Sequence, residues 1–412
     1  MRGLSADAVL DRRLATNAQA PLAVALSGGG DSVALALMAA AWARAHGRRL
    51  LVLSVDHRLR LESAAWTEAC QALARRLGAD FQALAWTGDK PAQGLPAAAR
   101  AARHGLLAEA ARTAGASVIL MGHTADDLAE TAAMRAEGST TPDPREWSPS
   151  PIWPQGRGIF LLRPLLEVRR ADLRAWLQAR GETWIEDPAN TDPRFARARA
   201  RIALAGSTPQ GACAPAGPYL PTLAGQVREA GGLVLPREAL RDAPADAVRA
   251  LVAAAALCAA GTARPPRGDR LARLTEALTS DAPVIATLAG ARIEADAGRI
   301  LWLREAGEVA RHGARDLALR PGESTVWDGR YEIRADRSLR VQALAGHASR
   351  LAPAARAALT RLPARARGGL PMFEIEARIV CPLLEAVEGV AITPLALSRL
   401  HAACGLVVRE AG

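Results

Sequence analysis

The sequence predicts an α/β protein. A doubly wound, parallel-sheet domain is expected over residues 1–205, then a linker at 206–220. A mostly helical middle domain with a small β element follows at 221–312, and a small mixed α+β domain at 313–412. Three observations carry this reading. Short apolar runs alternate with helix-length segments through the first half, as in a parallel sheet covered on both faces. Gly206 to Gly217 has the Gly, Pro and Ala content of a linker. A chain of 412 residues also has room for two or three domains at roughly 100–200 residues each.

The elements follow in order. Leu22 to Leu26 reads as a first strand. It meets Ser27-Gly28-Gly29-Gly30-Asp31-Ser32, after which Val33 to His46 reads as a helix. Leu50 to Val55 is the second strand, Ala64 to Leu77 a helix and Asp80 to Trp86 the third strand. Ala97 to Thr113 is helical, Val118 to Met121 a fourth strand and Ala125 to Ala136 a further helix. Gly138 to Gly158 is rich in Pro, Ser and Gly and reads as a long loop, a class that is commonly functional. A strand-like start at Leu162 leads to a helix at Arg170 to Arg180. Past the linker, helices are expected at Pro221 to Ala230, Arg237 to Ala260 and Arg267 to Thr279. Strands follow at Val284 to Ala289, Arg292 to Ala295 and Arg299 to Arg304, with Asp296-Ala297-Gly298 as a hairpin turn. The last segment mixes short strands such as Tyr331 to Arg334 and Ile379 to Cys381 with a helix at Pro353 to Leu362.

Composition narrows the chemistry. Half the residues are hydrophobic and 23% are charged, which is ordinary for a folded soluble chain. The first seventeen residues offer no apolar core of a signal peptide. The longest apolar run, Leu251 to Ala260, is far short of the ~20 residues of a membrane span. A cytoplasmic protein with no membrane partner is therefore expected. Cys70, Cys213, Cys258, Cys381 and Cys404 are scattered and form no C-x-x-C pair, which argues against zinc ribbons and cysteine-held clusters. The net charge of +10 suggests a polyanionic partner. Lys90 is the only lysine and follows no glycine-rich loop, so no P-loop lysine is available.

The stretch from Ser27 to Ser32 carries the chemistry. It follows a strand and opens a helix, where glycines let a ligand approach and helix-start amides attract anions. An acid such as Asp31 beside a phosphate makes sense when Mg²⁺ lies between them. The loop is neither G-x-x-x-x-G-K-[ST] nor G-x-G-x-x-G.

This loop resembles the S-G-G-x-D-S loop of the N-type ATP pyrophosphatases, which split ATP between the α and β phosphates. Three further stretches resemble the tRNA(Ile)-lysidine synthetases among them. Val55-Asp56-His57-Arg58-Leu59-Arg60 is similar to their V-D-H-G-L-R, with Arg58 where the glycine stands. His123-Thr124-Ala125-Asp126-Asp127-Leu128-Ala129-Glu130-Thr131 is similar to H-x-A-D-D-Q-x-E-T, with Leu128 for Gln. Trp184-Ile185-Glu186-Asp187-Pro188-Ala189-Asn190-Thr191-Asp192 and Phe195-Ala196-Arg197 resemble W-x-x-D-P-S-N-x-D and the F-x-R that follows it. The expected R-N-R-x-R becomes Arg197-Ala198-Arg199-Ala200-Arg201, without its asparagine, and residues 137 to 158 do not match that family's glycine-rich segment. The resemblance covers roughly residues 20 to 205.

The resemblance implies a ligase with ATP and Mg²⁺ as cofactors. It would adenylate the wobble cytidine of tRNA(Ile) with a CAU anticodon, then let free L-lysine attack, forming lysidine and releasing AMP. Oligomeric state, including a homodimer, stays open. Ser27, Gly28, Gly29, Gly30, Asp31, Ser32, Asp56 and Arg100 are the expected nucleotide contacts, with Asp31 on the metal side. Arg100 and Arg103 lie one helical turn apart and would offer a cationic face. Asp127 and Glu130 share a helix face, where two carboxylates can orient an ammonium and accept its proton. They are the expected lysine contacts, with His123 beside them as a catalytic-site group. Arg194, Arg197, Arg199 and Arg201 are expected to meet tRNA phosphates. Competing readings are a tRNA thiolase, a small-molecule amidotransferase and a non-catalytic tRNA-binding protein on the same scaffold. The missing thiol pair, the absence of a glutaminase nucleophile and the intact acids weigh against them in turn.

Overall fold

The computed structural model describes residues 6–59, 62–139, 141–188, 192–194, 196–205, 231–241, 243–308 and 316–412. Arg60, Ala189 to Thr191, Phe195, the linker 206–220 and the helix expected at Pro221 to Ala230 lie outside them. The chain falls into two compact units, Met1–Ala216 with Val407–Gly412, and Gly217–Leu406.

In the first unit, β1 (Leu22–Ala25), β2 (Leu50–Asp56), β3 (Asp80–Ala85), β4 (Val118–Leu120), β5 (Trp147–Pro149) and β6 (Phe160–Leu162) form one sheet in the order 3-2-1-4-6-5. Strands 3, 2, 1, 4 and 6 are parallel, and β5 runs antiparallel on the edge. The segment expected to be one long loop thus contains an edge strand. Its prolines hid it, because proline is tolerated on edges and reads as loop. The run at Leu22 to Leu26 alternates between two cores, as a strand buried on both faces must. Leu22 and Val24 join the core under helices α2 (Gly30–Ala45) and α3 (Ser63–Leu77), and Ala23 joins the core under helix α4 (Leu95–Thr113). Chain order reverses between β1 and β4. An open α/β sheet binds its ligand at that switch point, beyond the carboxyl ends of the strands.

Two short elements close this unit. Helix α1 (Asp7–Arg13) buries Leu10, an element with too few apolar positions to read from sequence. The segment Val407–Gly412 also packs here. The Glu410 carboxylate meets Arg48 at 2.7 and 3.0 Å and accepts the Ala15 N–H at 3.0 Å, with both charged side chains 1% exposed.

The described part of the second unit opens with β7 (Leu233–Pro236), a 3-10 turn at Arg237–Leu240 and helix α8 (Ala245–Ala260). The single helix expected at Arg237 to Ala260 is therefore shorter. Pro244 cannot sit inside a helix, and the fully buried Arg237 instead donates to the carbonyls of Leu278, Asp296, Ala277 and Ala282. Helix α9 (Gly268–Thr279) and α8 cover an antiparallel sheet of β7, β10 (Arg299–Arg304), β9 (Ala291–Ala295) and β8 (Val284–Leu288), with a turn at 296–298 as expected. The remaining strands form one sheet of four and one of three, whose inward residues, Val341 and Phe373 with Trp327 and Ile333, share a core. Ala396 and Leu400 of the last helix pack in the core of α8, so residues 217–406 stay together across the boundary read at 312/313. Among the described residues no helix is long and apolar enough to cross a membrane.

Candidate active site

The carboxyl ends of β1, β2 and β4 carry the groups singled out above. After β1 the chain turns at Gly28, whose φ of +86° favours glycine, and α2 begins at Gly30 with Asp31 in its first turn. The turn is held from inside. Ser27 N–H donates to Ser32 Oγ at 3.2 Å, and Ser32 Oγ donates to Gly29 O at 2.8 Å. It is held from outside by the segment Trp184–Glu186. Ile185 N–H donates to Gly28 O at 2.9 Å, and the Trp184 ring lies where a side chain on Gly30 would contact it at 3.5 Å. Gly122, after β4, passes the start of α2 so closely that a Cβ there would meet Asp31 O and Ser32 Cα at 3.1 Å. The two loops flanking the switch point are therefore in contact.

Helix α5 (Ala125–Ala136) starts with a reciprocal cap. Asp127 Oδ2 accepts from Thr124 N–H at 2.7 Å and from Thr124 Oγ1 at 3.0 Å. This leaves Asp127 Oδ1 and the nearly buried Glu130 carboxylate to face a set of arginines. Arg197 donates to Glu130 Oε2 and Asp127 Oδ1, both at 2.9 Å, and Arg201 donates to Glu130 Oε1 at 2.8 Å. Arg170, the first residue of helix α6 (Arg170–Gln178), reaches three acids. Its Nε donates to Asp31 Oδ2 at 3.1 Å, Nη1 to Glu130 Oε1 at 2.9 Å and Nη2 to Asp127 Oδ1 at 3.4 Å. Asp126 accepts the Arg170 backbone N–H at 2.7 Å, which satisfies the first turn of α6, and its Oδ1 lies 4.0 Å from Arg170 Nη1.

Burial raises the Asp31 carboxyl, an effect that Arg170 opposes. Burial also pushes on Glu130, but the Arg201 hydrogen bond and the Arg170 charge hold it below the usual range. A cationic group lies beside the acids. Arg103 and Arg163 are both lowered to about 10, by burial first and then by neighbouring guanidinium groups, Arg100 among them. Burial and the Arg163 charge keep His123 neutral far below its ordinary value, and its buried Nδ1 has no partner. Arg103 Nε, Arg163 Nε and both ring nitrogens of His104 are likewise buried without one. Buried donors left unmade are costly. A cluster of them, all cationic or neutral-basic, suits an anion.

The sequence-predicted residues thus separate. Ser27 to Ser32, Asp31, Asp127, Glu130, Arg197 and Arg201 come together. Arg197 and Arg201, expected at tRNA phosphates, here pair with the acids, because helix α7 (Ala196–Ala203) packs on α5. Arg194 and Arg199 stay on the surface, bonded to Asp192 and to the carbonyls of Pro193 and Arg194. Asp56 accepts the Arg58 N–H at 2.7 Å and so stabilises a residue at φ 52°, the left-handed conformation that suits the glycine of the related motif. Arg170, Arg163 and His104 were missed. Nothing local marks them: the partners of Arg170 and Arg163 come from other segments, and the His104 ring is buried with no partner at either nitrogen.

A family model described as a PP-loop domain matches residues 5–207. The chain is 49% identical to a tRNA(Ile)-lysidine synthase of Caulobacter vibrioides, over 98% of each chain. It is 37% identical to a tRNA(Ile)-lysidine synthase of Hyphomonas neptunium, over 76% of this chain and 88% of that one. Among solved structures, a U34-tRNA thiolase from Methanococcus maripaludis aligns with a TM-score of 0.40 at 14% identity, covering 46% of this chain and 67% of that one.

Proposed function

The chain belongs to the tRNA(Ile)-lysidine synthase family, and from that premise we propose how its first unit performs the reaction. The protein is an ATP-dependent ligase that forms lysidine on tRNA(Ile). The relatives do not favour a thiolase or a non-catalytic tRNA binder.

ATP binds at the switch point, with the amides of Gly28, Gly29 and Gly30 and the hydroxyls of Ser27 and Ser32 around its phosphates. Asp56, at the end of β2, contacts the nucleoside side. A single hard carboxylate at a phosphate loop is the donor set that Mg²⁺ uses together with phosphate oxygens, so Asp31 fits the metal. When bound, Mg²⁺ supplies charge neutralisation for the departing pyrophosphate. Arg100 and Arg103 supply more of it, and their unmatched positive charge is the site's attraction for the anion. The carbonyl oxygen of the wobble cytidine attacks the α phosphate, pyrophosphate leaves, and the base becomes electrophilic. The base reaches the site out of its stack.

Free L-lysine then enters against Asp127 and Glu130. These carboxylates are already paired with guanidinium groups, and we propose that the substrate ammonium takes the place of Arg197 or Arg201. Those two are 38% and 30% exposed, against 13% for Arg170. Glu130, held ionised, is the group able to accept the proton as the amine attacks and AMP leaves. His123 stays neutral and offers a hydrogen bond, not a charge. Arg194 and Arg199, with the arginines displaced from the acids, meet tRNA phosphates. The observation that carries this reading is the joining of the phosphate loop and the acid pair across one switch point.

The test mixes the protein with ATP, Mg²⁺, labelled lysine and a CAU-anticodon tRNA(Ile) transcript. Label in the tRNA that depends on both ATP and the protein is expected. Transfer of sulfur or of another amine in its place would overturn the reading. Asp31→Ala is expected to stop pyrophosphate release while tRNA binding survives.

A further inference from the structure

We infer that Arg170 is the positioning residue that couples the two chemical steps, holding the phosphate-loop acid and the lysine-binding acids in one fixed arrangement. This rests on the assignment of Asp31 to the nucleotide and of Asp127 and Glu130 to lysine. Among the described residues, Arg170 is the one whose guanidinium ion-pairs with both sides. Arg197 and Arg201 pair with the Asp127–Glu130 side. The three Arg170 nitrogens hydrogen-bond three different carboxylates, with Asp126 Oδ1 a further 4.0 Å from Nη1, and these acids come from two helices that start on opposite sides of the switch point.

The placement is built, not incidental. Asp126 fixes the backbone of Arg170 at the first turn of α6, while Leu173 and Leu177 of that helix are buried in the core beneath α2. The side chain is only 13% exposed, so it stays when substrates arrive. Without it Asp127 and Glu130 keep Arg197 and Arg201, but Asp31 loses the cation that ties it to them and is left facing like charge. A lysine in its place keeps the charge but loses the planar fork, because an ammonium is a point charge that cannot serve three directions set by one rigid plane. A change from arginine to lysine therefore tests geometry apart from charge.

The experiment measures ATP affinity and lysine affinity by calorimetry on the full chain, neither of which needs turnover. Arg170→Lys is expected to weaken both at least fivefold, with an unfolding midpoint close to wild type. In an Asp31→Asn background its effect on ATP should fall below twofold, and in a Glu130→Gln background its effect on lysine should do the same. Equal penalties in all backgrounds would mean a general structural role, and a loss confined to one ligand would mean that Arg170 serves one step; either result overturns the coupling. Arg170→Gln provides a second variant, expected to be worse than Arg170→Lys for both ligands. A wild-type protein that incorporates no lysine into tRNA would refute the lysidine assignment itself, and the ATP arm would still decide whether Arg170 acts through Asp31.

Discussion

Replacing Gly28 by alanine separates two physical effects that meet at the phosphate loop. The first is conformational. At φ +86° an L-residue is strained by about 1–2 kcal/mol. The second is steric. The new Cβ would lie 2.4 Å from Ile185 Cδ1 and 3.3 Å from Cγ1, so the end of the Ile185 side chain must rotate out of its packing while its backbone stays tied to Gly28 O. Overpacking of this kind costs about 1–3 kcal/mol. The sum, about 2–5 kcal/mol, drives the turn to relax out of its phosphate-cradling shape and lowers ATP affinity by up to that amount, since each 1.4 kcal/mol is a factor of ten. Trimming Ile185 to alanine removes the collision and leaves the φ penalty. Gly28→Ala should therefore weaken ATP binding by equilibrium dialysis much more in the wild-type background than in the Ile185→Ala background. Penalties that are the same in both backgrounds would refute the steric part, and an unaffected Gly28→Ala protein would refute the placement of the nucleotide at this turn.

Three further outcomes are expected. Glu410→Ala strands the buried Arg48 guanidinium and should lower stability by about 3–5 kcal/mol, read as a fall in the urea midpoint. A change below 1 kcal/mol would show that the pair is solvated. His104, pushed down to about 2 by burial and by the Arg103 charge, lies below its ordinary 6.5, so between those limits the unfolded chain carries a proton that the folded chain does not. Its contribution is whole above pH 6.5 and falls as pH drops, by about 1.4 kcal/mol per pH unit. His104→Phe should flatten urea midpoints between pH 6 and 5, and an unchanged slope would refute the buried neutral state. Arg194→Ala with Arg199→Ala should weaken tRNA binding and reduce the slope of log affinity against log salt by about 1–2, and an unaltered slope would remove them from the phosphate contacts.

Much of the first unit was legible in the sequence because its signals are local. Strand, glycine turn and helix start follow one another within a dozen residues at Leu22 to Ser32, and the acid pair sits at helical spacing. The long loop at 138–158 hid β5, whose pairing depends on β6 rather than on its own residues. The arginine run after Pro193 reads as a set of tRNA phosphate contacts, yet half of it turns inward, because the acids that attract Arg197 and Arg201 lie about 70 residues earlier. Arg170 was invisible for the same reason, with partners 40 and 139 residues away. Local pattern specifies elements and loops. Charge compensation in a buried site is a property of the assembled fold.

Arg48 and Glu410 are 362 residues apart along the polypeptide, yet they meet in the same buried pair. A ribosome releases β1, the phosphate turn and α5 long before it reaches Glu410. Through that interval the Arg48 guanidinium awaits its counter-charge, so the nucleotide unit gains this pair only after residues 217–406 have been made. An unfinished polypeptide halted before that glutamate would emerge with every reactive group in place but with its keystone missing.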